Sequence, residues 1–168
     1  MGSATRACAC SVTVRIRDAG FADIGAVVAI ERVSFSEPWS EGMFRAHLRG
    51  DINTFLVAHE GEAVIGFAIA HTVVDESELL NIAVDQYMRG RGVGAILLDA
   101  ICGHCAMRGS ASMTLDVRAS NTVARALYAS HEFVQVGLRR RYYHVPEEDA
   151  LILRAKLPMS VGRLPISR

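Results

Sequence analysis

Val84-Asp85-Gln86-Tyr87-Met88-Arg89-Gly90-Arg91-Gly92-Val93-Gly94-Ala95-Ile96-Leu97-Leu98 is the stretch on which the reading of this chain turns. An apolar run ends at Asp85, a glycine-spaced basic turn follows, and an apolar stripe at helical spacing begins at Ile96. Gly90, Gly92 and Gly94 let a backbone come close to an anion, and the first N–H groups of the helix opening there have no partner within it. Arg89 and Arg91 add positive charge. No Lys-Ser/Thr follows the glycines and no Gly-x-Gly-x-x-Gly is present, so this is neither of the common nucleotide loops. Alone, the turn is either an anion cradle or a tight strand-to-helix connection, and the rest of the chain must decide.

Upstream, Leu79 to Val84 is apolar except for Asn81, as in a central strand covered on both faces. Thr54–His59 and Ala63–Val74 read as strands joined at Glu60-Gly61-Glu62, a hairpin signal. Before them, Asp23 and Ser40 stand as caps of two helices separated by Pro38. The first carries Ile24, Val27, Val28, Ile30 and Val33 as its stripe, the second Met43, Phe44 and Leu48. Val12–Arg17 alternates like a half-buried strand. Downstream, Gly109 is a helix stop, and Ser112–Arg118 alternates with Met113, Leu115 and Val117 on one face and Thr114, Asp116 and Arg118 on the other. Asn121 caps a helix carrying Val123, Ala126 and Leu127, and two strands, about Phe133–Tyr143 and Ala150–Leu157, flank the acidic turn Glu147-Glu148-Asp149. The order is strand, two helices, three strands, helix, strand, helix, two strands: a mixed α/β (α+β) domain on one sheet.

At 168 residues and 51% apolar content the chain makes one domain. Its net charge of zero, with Lys156 the only lysine, argues against bulk nucleic-acid binding. The acidic run Asp75–Glu78 and the basic Arg139–Arg141 read as solvated faces. No apolar run approaches the roughly 18 residues that span a bilayer, Arg6 stands where a myristoylation signal needs Ser or Thr, and the first fourteen residues, with one arginine and a short Ala/Cys/Val stretch, are a weak match to a secretory signal. No membrane partner and a cytoplasmic location are expected. Four cysteines fall as Cys8-x-Cys10 and Cys102-Gly-His-Cys105. The second group spells a thiol-oxidoreductase motif, but it lies late in a helix, where Leu98, Ile101, Cys102 and Cys105 share an apolar face, so it reads as core. A zinc site from all four would need the N-terminal arm folded onto that helix; no metal is expected.

Arg89-x-x-Gly92-x-Gly94 after a strand resembles the Gln/Arg-x-x-Gly-x-Gly/Ala signature of the GNAT acyltransferases, and the element order agrees. Pro38-Trp39-Ser40, Asn81-Ile82-Ala83-Val84, Leu115-Asp116-Val117-Arg118-Ala119-Ser120-Asn121, Ala126-Leu127-Tyr128 and Arg140-Arg141-Tyr142-Tyr143 with Glu148-Asp149-Ala150 extend the resemblance over about residues 13–157. Within the family these segments are most similar to the enzymes that acetylate the N-terminal alanine of ribosomal proteins. The resemblance implies a GNAT fold over 13–157, a single central, mostly antiparallel sheet flanked by about four helices, with flexible extensions at 1–12 and 158–168. It implies acetyl-CoA as cosubstrate, its pyrophosphate held by Arg89, Gly90, Arg91, Gly92, Val93, Gly94 and Ala95. It places the pantetheine arm and the oxyanion against the backbone of Ile82, Ala83 and Val84, and Asn121 in contact with the cofactor.

An amine must lose a proton to attack a thioester, and the departing thiolate must gain one. By resemblance, Asp116 holds the position of the base, where related sequences carry glutamate, and Tyr128 that of the acid. Read on their own, these are a solvent-facing carboxylate and a buried packing tyrosine. Trp39, Tyr142 and Tyr143 are either walls of a peptide channel or aromatic core filling, and Asp75–Glu78 could attract a positively charged N-terminus. Glu132 stands where the family has a glycine, and the left-handed turn expected there costs a non-glycine residue on the order of 1 kcal/mol. The implied partner is a protein N-terminus, by resemblance that of a ribosomal protein. A lysine side chain or a small-molecule amine would use the same chemistry, and a non-catalytic CoA-binding regulatory subunit is the alternative of another class.

Overall fold

The computed structural model describes residues 13–158. Its elements run β1 (Arg15–Asp18), α1 (Ile24–Ser34), α2 (Glu41–Arg49), β2 (Asn53–Glu60), β3 (Ala63–Val73), β4 (Glu76–Val84), α3 (Val93–Met107), β5 (Ser112–Arg118), α4 (Thr122–Ser130), β6 (Val134–His144) and β7 (Glu147–Lys156). This is the element order expected from the periodicities. The extensions expected to be flexible, 1–12 and all but the first residue of 158–168, lie outside the described residues, as do Val12, Cys8 and Cys10.

One seven-stranded sheet takes the order β1-β2-β3-β4-β5-β7-β6. Every neighbouring pair is antiparallel except β4 and β5, which α3 connects as a crossover. α3 and α4 cover one face, where Leu97, Leu98 and Ile101 meet Leu56, Ala68, Met113 and Leu115. α1 and α2 cover part of the other, where Ile24, Val27 and Phe44 meet Phe55, Val57, Phe67 and Ile69. Alternation along β5 sends Met113, Leu115 and Val117 into the α3 face and therefore turns Asp116 and Arg118 toward the α1 face.

Several local expectations change. Asp23 gives no side-chain cap to α1: its carboxylate takes both Arg17 guanidinium nitrogens at 2.7 and 2.8 Å and the Gly20 N–H at 2.7 Å, closing a 3₁₀ turn over Phe21–Asp23. A bidentate charged pair outweighs a single neutral cap bond. Val33 is exposed because the buried face of α1 comprises Ile24, Val27, Val28, Ile30 and Glu31, the last standing where an apolar residue would be in phase. Met43, Ile96, Val123 and Ala126 also face solvent, and the buried stripe of α3 is Val93, Leu97, Leu98, Ile101, Cys102 and Cys105. The two cysteines are core residues as read: Cys102 Sγ lies 3.6 Å from Met113 Sδ, and burial pushes its thiol up to about 12.

β4 begins at Glu76, so most of the acidic run is strand: Glu76 pairs with Arg154 at 2.7 Å and Glu78 with His71 at 3.4 Å. β7 begins at Glu147, and the turn before it is Val145-Pro146 rather than the acidic triplet. Glu148 and Asp149 can enter the strand because Ser120 and Arg118 donate to the first and the Arg141 N–H to the second. Ser40 and Asn121 cap α2 and α4 as expected, accepting from Met43 N at 3.3 Å and Ala124 N at 3.0 Å. Glu132 adopts the left-handed turn, at φ 62°. Among the described residues no helix is long and apolar enough to cross a membrane, and no cluster of three or more His, Cys, Asp or Glu could hold a metal.

Candidate active site

The sheet opens in its middle. β4 and β5 pair only from Glu76 with Ser112 to Leu79 with Leu115, yet β4 continues to Val84 and β5 to Arg118. Beyond Leu79 the two strands are the walls of a gap. The register with β3 shifts here: Ala70 faces Leu79 and Ile69 faces Asn81, leaving Leu80 as the extra residue of a bulge. Two consecutive side chains then face α1, Leu80 in the core and Asn81 on Glu31. A bulge raises local twist and bends its strand, which carries β4 away from β5.

The ladder with β3 decides which backbone groups face the gap. The Asp85 N–H reaches the Ile65 carbonyl at 2.9 Å, which makes Asp85 and Ile65 a bonded pair and, by alternation, Ala83 and Phe67 the next. Ile82 and Val84 then direct their backbone groups away from β3. The Val84 carbonyl accepts from Arg89 Nε at 3.1 Å. Left toward the gap are the N–H and C=O of Ile82 and the N–H of Val84.

The glycine turn closes one end. Gly92 caps α3 from the left-handed region at φ 81°, Gly90 sits at φ 74°, and a Cβ on either would meet nothing within 4 Å. Their hydrogens therefore face open space above the helix start. The first helical bond is from Ile96 N to the Gly92 carbonyl, so the N–H groups of Val93, Gly94 and Ala95 have no acceptor inside the helix. Gly94 has another role: a Cβ there would stand 3.4 Å from Leu127 Cδ2, so its smallness lets α3 approach α4. The arginines are engaged elsewhere. Arg89 also donates to Ser34 Oγ at 3.0 Å, and Arg91 reaches Glu60 at 3.4 Å. The donors open to an anion are thus mainly backbone N–H groups at a helix N-terminus. A diphosphate followed by an amide-bearing arm fits this arrangement: the cradle takes the first, and the exposed edge of β4 offers strand-like pairing to the second.

Asp116 lies on β5 across the gap, half-buried, with Arg139 Nε 3.3 Å from its carboxylate. Tyr128, on α4, is 6% exposed and packs its ring 5.7 Å from Phe133. Burial drives its phenol well above the ordinary tyrosine value, and the charge of Tyr143 would add to the effect. The Tyr143 phenol is pushed up to about 12 by burial and by Asp116, against the pull of Arg118, whose guanidinium lies 4.1 Å over the ring. Both hydroxyls are protonated donors at neutral pH. Tyr142 stands edge-on to Tyr143 at 5.2 Å with Arg139 5.4 Å over its ring. A register shift in β6 between Arg139 and Tyr143, with Arg141 at φ 50°, brings this pair to the site.

Trp39 stands apart from these tyrosines. Its ring packs 5.5 Å from Phe44 and 4.9 Å from His47, and its backbone N–H donates to Glu31. Asn121 uses its Oδ1 as the α4 cap.

Arg118 escapes the sequence reading as a functional residue. Its guanidinium donates to the carbonyls of Val145 and Pro146 at 3.0 and 3.1 Å, to Ser36 Oγ at 3.2 Å and to Glu148 at 3.4 Å, and lies 3.8 Å from Glu37. Ser36 Oγ donates in turn to the Val145 carbonyl at 2.5 Å. The α1–α2 loop and the β6–β7 turn are thereby tied together beyond the end of β5. Strand alternation, which places Arg118 on the Asp116 face, is the sequence signal that could have found it. Glu31 escapes as well, although its position on an apolar stripe marks it.

A sheet split beside a helix N-terminus, with a carboxylate on one wall, is an arrangement that suits acyl transfer. Residues 24–133 match the acetyltransferase (GNAT) family, and the chain belongs to it. It is an enzyme of that family, whose acyl donor is acetyl-CoA. The chain is 38% identical over 141 residues, covering 83% of its length and 93% of the relative, to the [ribosomal protein bS18]-alanine N-acetyltransferase of Escherichia coli (strain K12). It is 35% identical over 134 residues, covering 78% and 92%, to the protein so named in Haemophilus ducreyi. The crystal structure of the ribosomal-protein-S18-alanine N-acetyltransferase from Escherichia coli superposes with a TM-score of 0.81 at 34% identity, covering 90% of this chain and 99% of that one.

Proposed function

We propose that this enzyme transfers the acetyl group of acetyl-CoA to the N-terminal α-amino group of a protein, a ribosomal protein that begins with alanine once methionine is removed. The relatives named for that reaction support the choice of acceptor. The observation that carries the chemistry is the split between β4 and β5, with donors on the first wall and Asp116 on the second.

In this reading the N–H groups of Ile82 and Val84 donate to the thioester oxygen as it gains negative charge. Asp116 takes a proton from the acceptor's ammonium and so frees the amine to attack, through a water because aspartate is one methylene shorter than the glutamate of related sequences. Tyr128 donates its proton to the departing sulfur. Attack is direct in a ternary complex; the described cysteines, Cys102 and Cys105, are buried core residues and form no acyl-enzyme. Glycine-turn N–H groups hold the pyrophosphate, and Tyr142 and Tyr143 flank the entering peptide. An acceptor of this kind places the reaction in the cytoplasm.

Incubation with acetyl-CoA and a panel of peptides, followed by mass mapping, tests the proposal. Acetylation of the α-amine of an alanine-starting peptide is expected. Acetylation confined to lysine or to small amines would replace the acceptor, and calorimetric CoA binding with no turnover on any amine would replace the enzyme by a binding subunit.

A further inference from the structure

Glu31 is a carboxylate at 1% exposure, placed on α1 where the stripe Ile24, Val27, Val28 calls for an apolar side chain. Its two oxygens are shared out: Oε1 accepts the Trp39 backbone N–H at 2.9 Å and Oε2 accepts Asn81 Nδ2 at 3.1 Å. Such an arrangement is poor for stability. Burial works against the charged carboxylate, raising its pKa above the ordinary value despite the two bonds, and Asn81 Oδ1 is buried with no hydrogen-bond partner. Apolar residues of similar volume would remove both penalties.

What the arrangement does achieve is geometric. Asn81 directly follows the bulged Leu80, where β4 leaves β5, and stands one position before the Ile82 groups that face the gap. Trp39 leads into α2 from the α1–α2 loop, two residues after Glu37, which lies beside Arg118 in the tie over the acceptor side. One carboxylate therefore grips the donor wall with one oxygen and the acceptor loop with the other. We propose that Glu31 is a positioning residue of acetyl transfer, setting the β4 bulge and the α1–α2 loop in register so that the Ile82 and Val84 N–H groups meet the reacting carbonyl as the amine arrives. This rests on the reading of the gap as the transfer site.

The test exchanges the two ends of the Glu31–Asn81 bond. Asn81→Asp sets a second carboxylate against Glu31 and breaks the tie. Adding Glu31→Gln restores it with roles reversed, because the Gln amide donates to the Asp while its oxygen still accepts from Trp39. Steady-state rates are measured well below each variant's Tm, with CoA affinity by calorimetry. Asn81→Asp is expected to lower kcat by at least about tenfold, with CoA affinity little changed, and the double variant to recover to within about threefold of wild type. A kcat for folded Asn81→Asp equal to wild type, or a double variant as slow as the single one, would overturn the proposal. Should Asn81→Asp not fold, Asn81→Ala and Glu31→Ala break the tie without adding charge and carry the same expectation. Gly92→Val, run alongside, separates the two levels: unchanged CoA affinity there removes the reading of the gap itself, whereas lost affinity there with full kcat in the Asn81 variants removes only the role of Glu31.

Discussion

Replacing Gly66 by alanine tests whether the end of β4 is the working surface. Gly66 lies on β3 opposite Val84, and a Cβ there would stand 2.9 Å from the Ala83 carbonyl oxygen and 2.9 Å from Leu97 Cδ1, where ordinary contact begins near 3.4 Å. The Leu97 side chain can turn aside. The carbonyl cannot, because it belongs to the β3–β4 ladder, so β4 must retreat by about 0.5 Å at Ala83. Overpacking of this kind costs about 1–3 kcal/mol, and each kcal/mol lowers Tm by roughly 2–4 °C in a domain of this size. Ile82 and Val84 flank Ala83 and move with it. Catalytic donors tolerate a displacement of about 0.5 Å at most, and about 1 Å costs near a hundredfold, so a loss of about tenfold in kcat is expected. The assay is thiol release from acetyl-CoA with a saturating alanine-starting peptide, beside a thermal melt. Gly103→Ala is the control: it lies inside α3 with nothing within 4 Å of its Cβ, and it should gain about 0.5–1 kcal/mol without changing rate. A folded Gly66→Ala protein with lowered Tm but kcat within about twofold of wild type would refute the placement of the reaction on β4.

Gly92→Val puts a β-branched residue at φ 81° over the cradle and should raise the KM for acetyl-CoA at least about tenfold while peptide preference stays; an unchanged KM would place the cofactor elsewhere. Tyr128→Phe removes only a hydroxyl and should lower kcat by about a hundredfold with Tm nearly constant, and full rate would exclude it as the acid. Arg118→Ala unties the α1–α2 loop from the β6–β7 turn, so the KM for peptide should rise and proteolysis in residues 35–40 quicken with CoA affinity retained; an unaltered peptide KM would leave the tie without a role in binding. The Arg17 guanidinium holds the Asp23 carboxyl below the ordinary carboxylate value. A folded pKa below the unfolded value means the contribution is complete above about pH 4 and lost as pH falls through the folded value. The Tm gap between wild type and Arg17→Ala should accordingly hold from neutrality down to that pH and shrink below it, and a gap that widens in acid would contradict the assignment.

What the chain reveals before folding follows the range of the interactions involved. The element order, the Ser40 and Asn121 caps and the left-handed Glu132 depend on neighbours a few residues apart and stand as read, and the glycines do form a turn opening a helix. The gap depends on something else: a single extra residue, Leu80, inserted against β3, and the point where β5 stops pairing with β4. Leu79–Val84 looks like an unbroken central strand because its apolar content is the same on either side of the bulge. Arg118 and Glu31 act across longer distances still, with partners up to 82 and 50 residues away, and no periodicity carries that information. Yet Glu31 was visible as a disagreement. A helix whose stripe runs Ile24, Val27, Val28 and then a carboxylate either has the wrong phase or buries a charge. Continuing the stripe through Ile30 and Val33 passes over Glu31, and the structure buries Ile30 and Glu31 and leaves Val33 exposed. Local rules break where a polar group is held in the interior for its geometry. An out-of-pattern charge on an otherwise apolar face is therefore better read as a pointer to the site than smoothed into the stripe. Here it points to the bulge of β4, from which the gap opens.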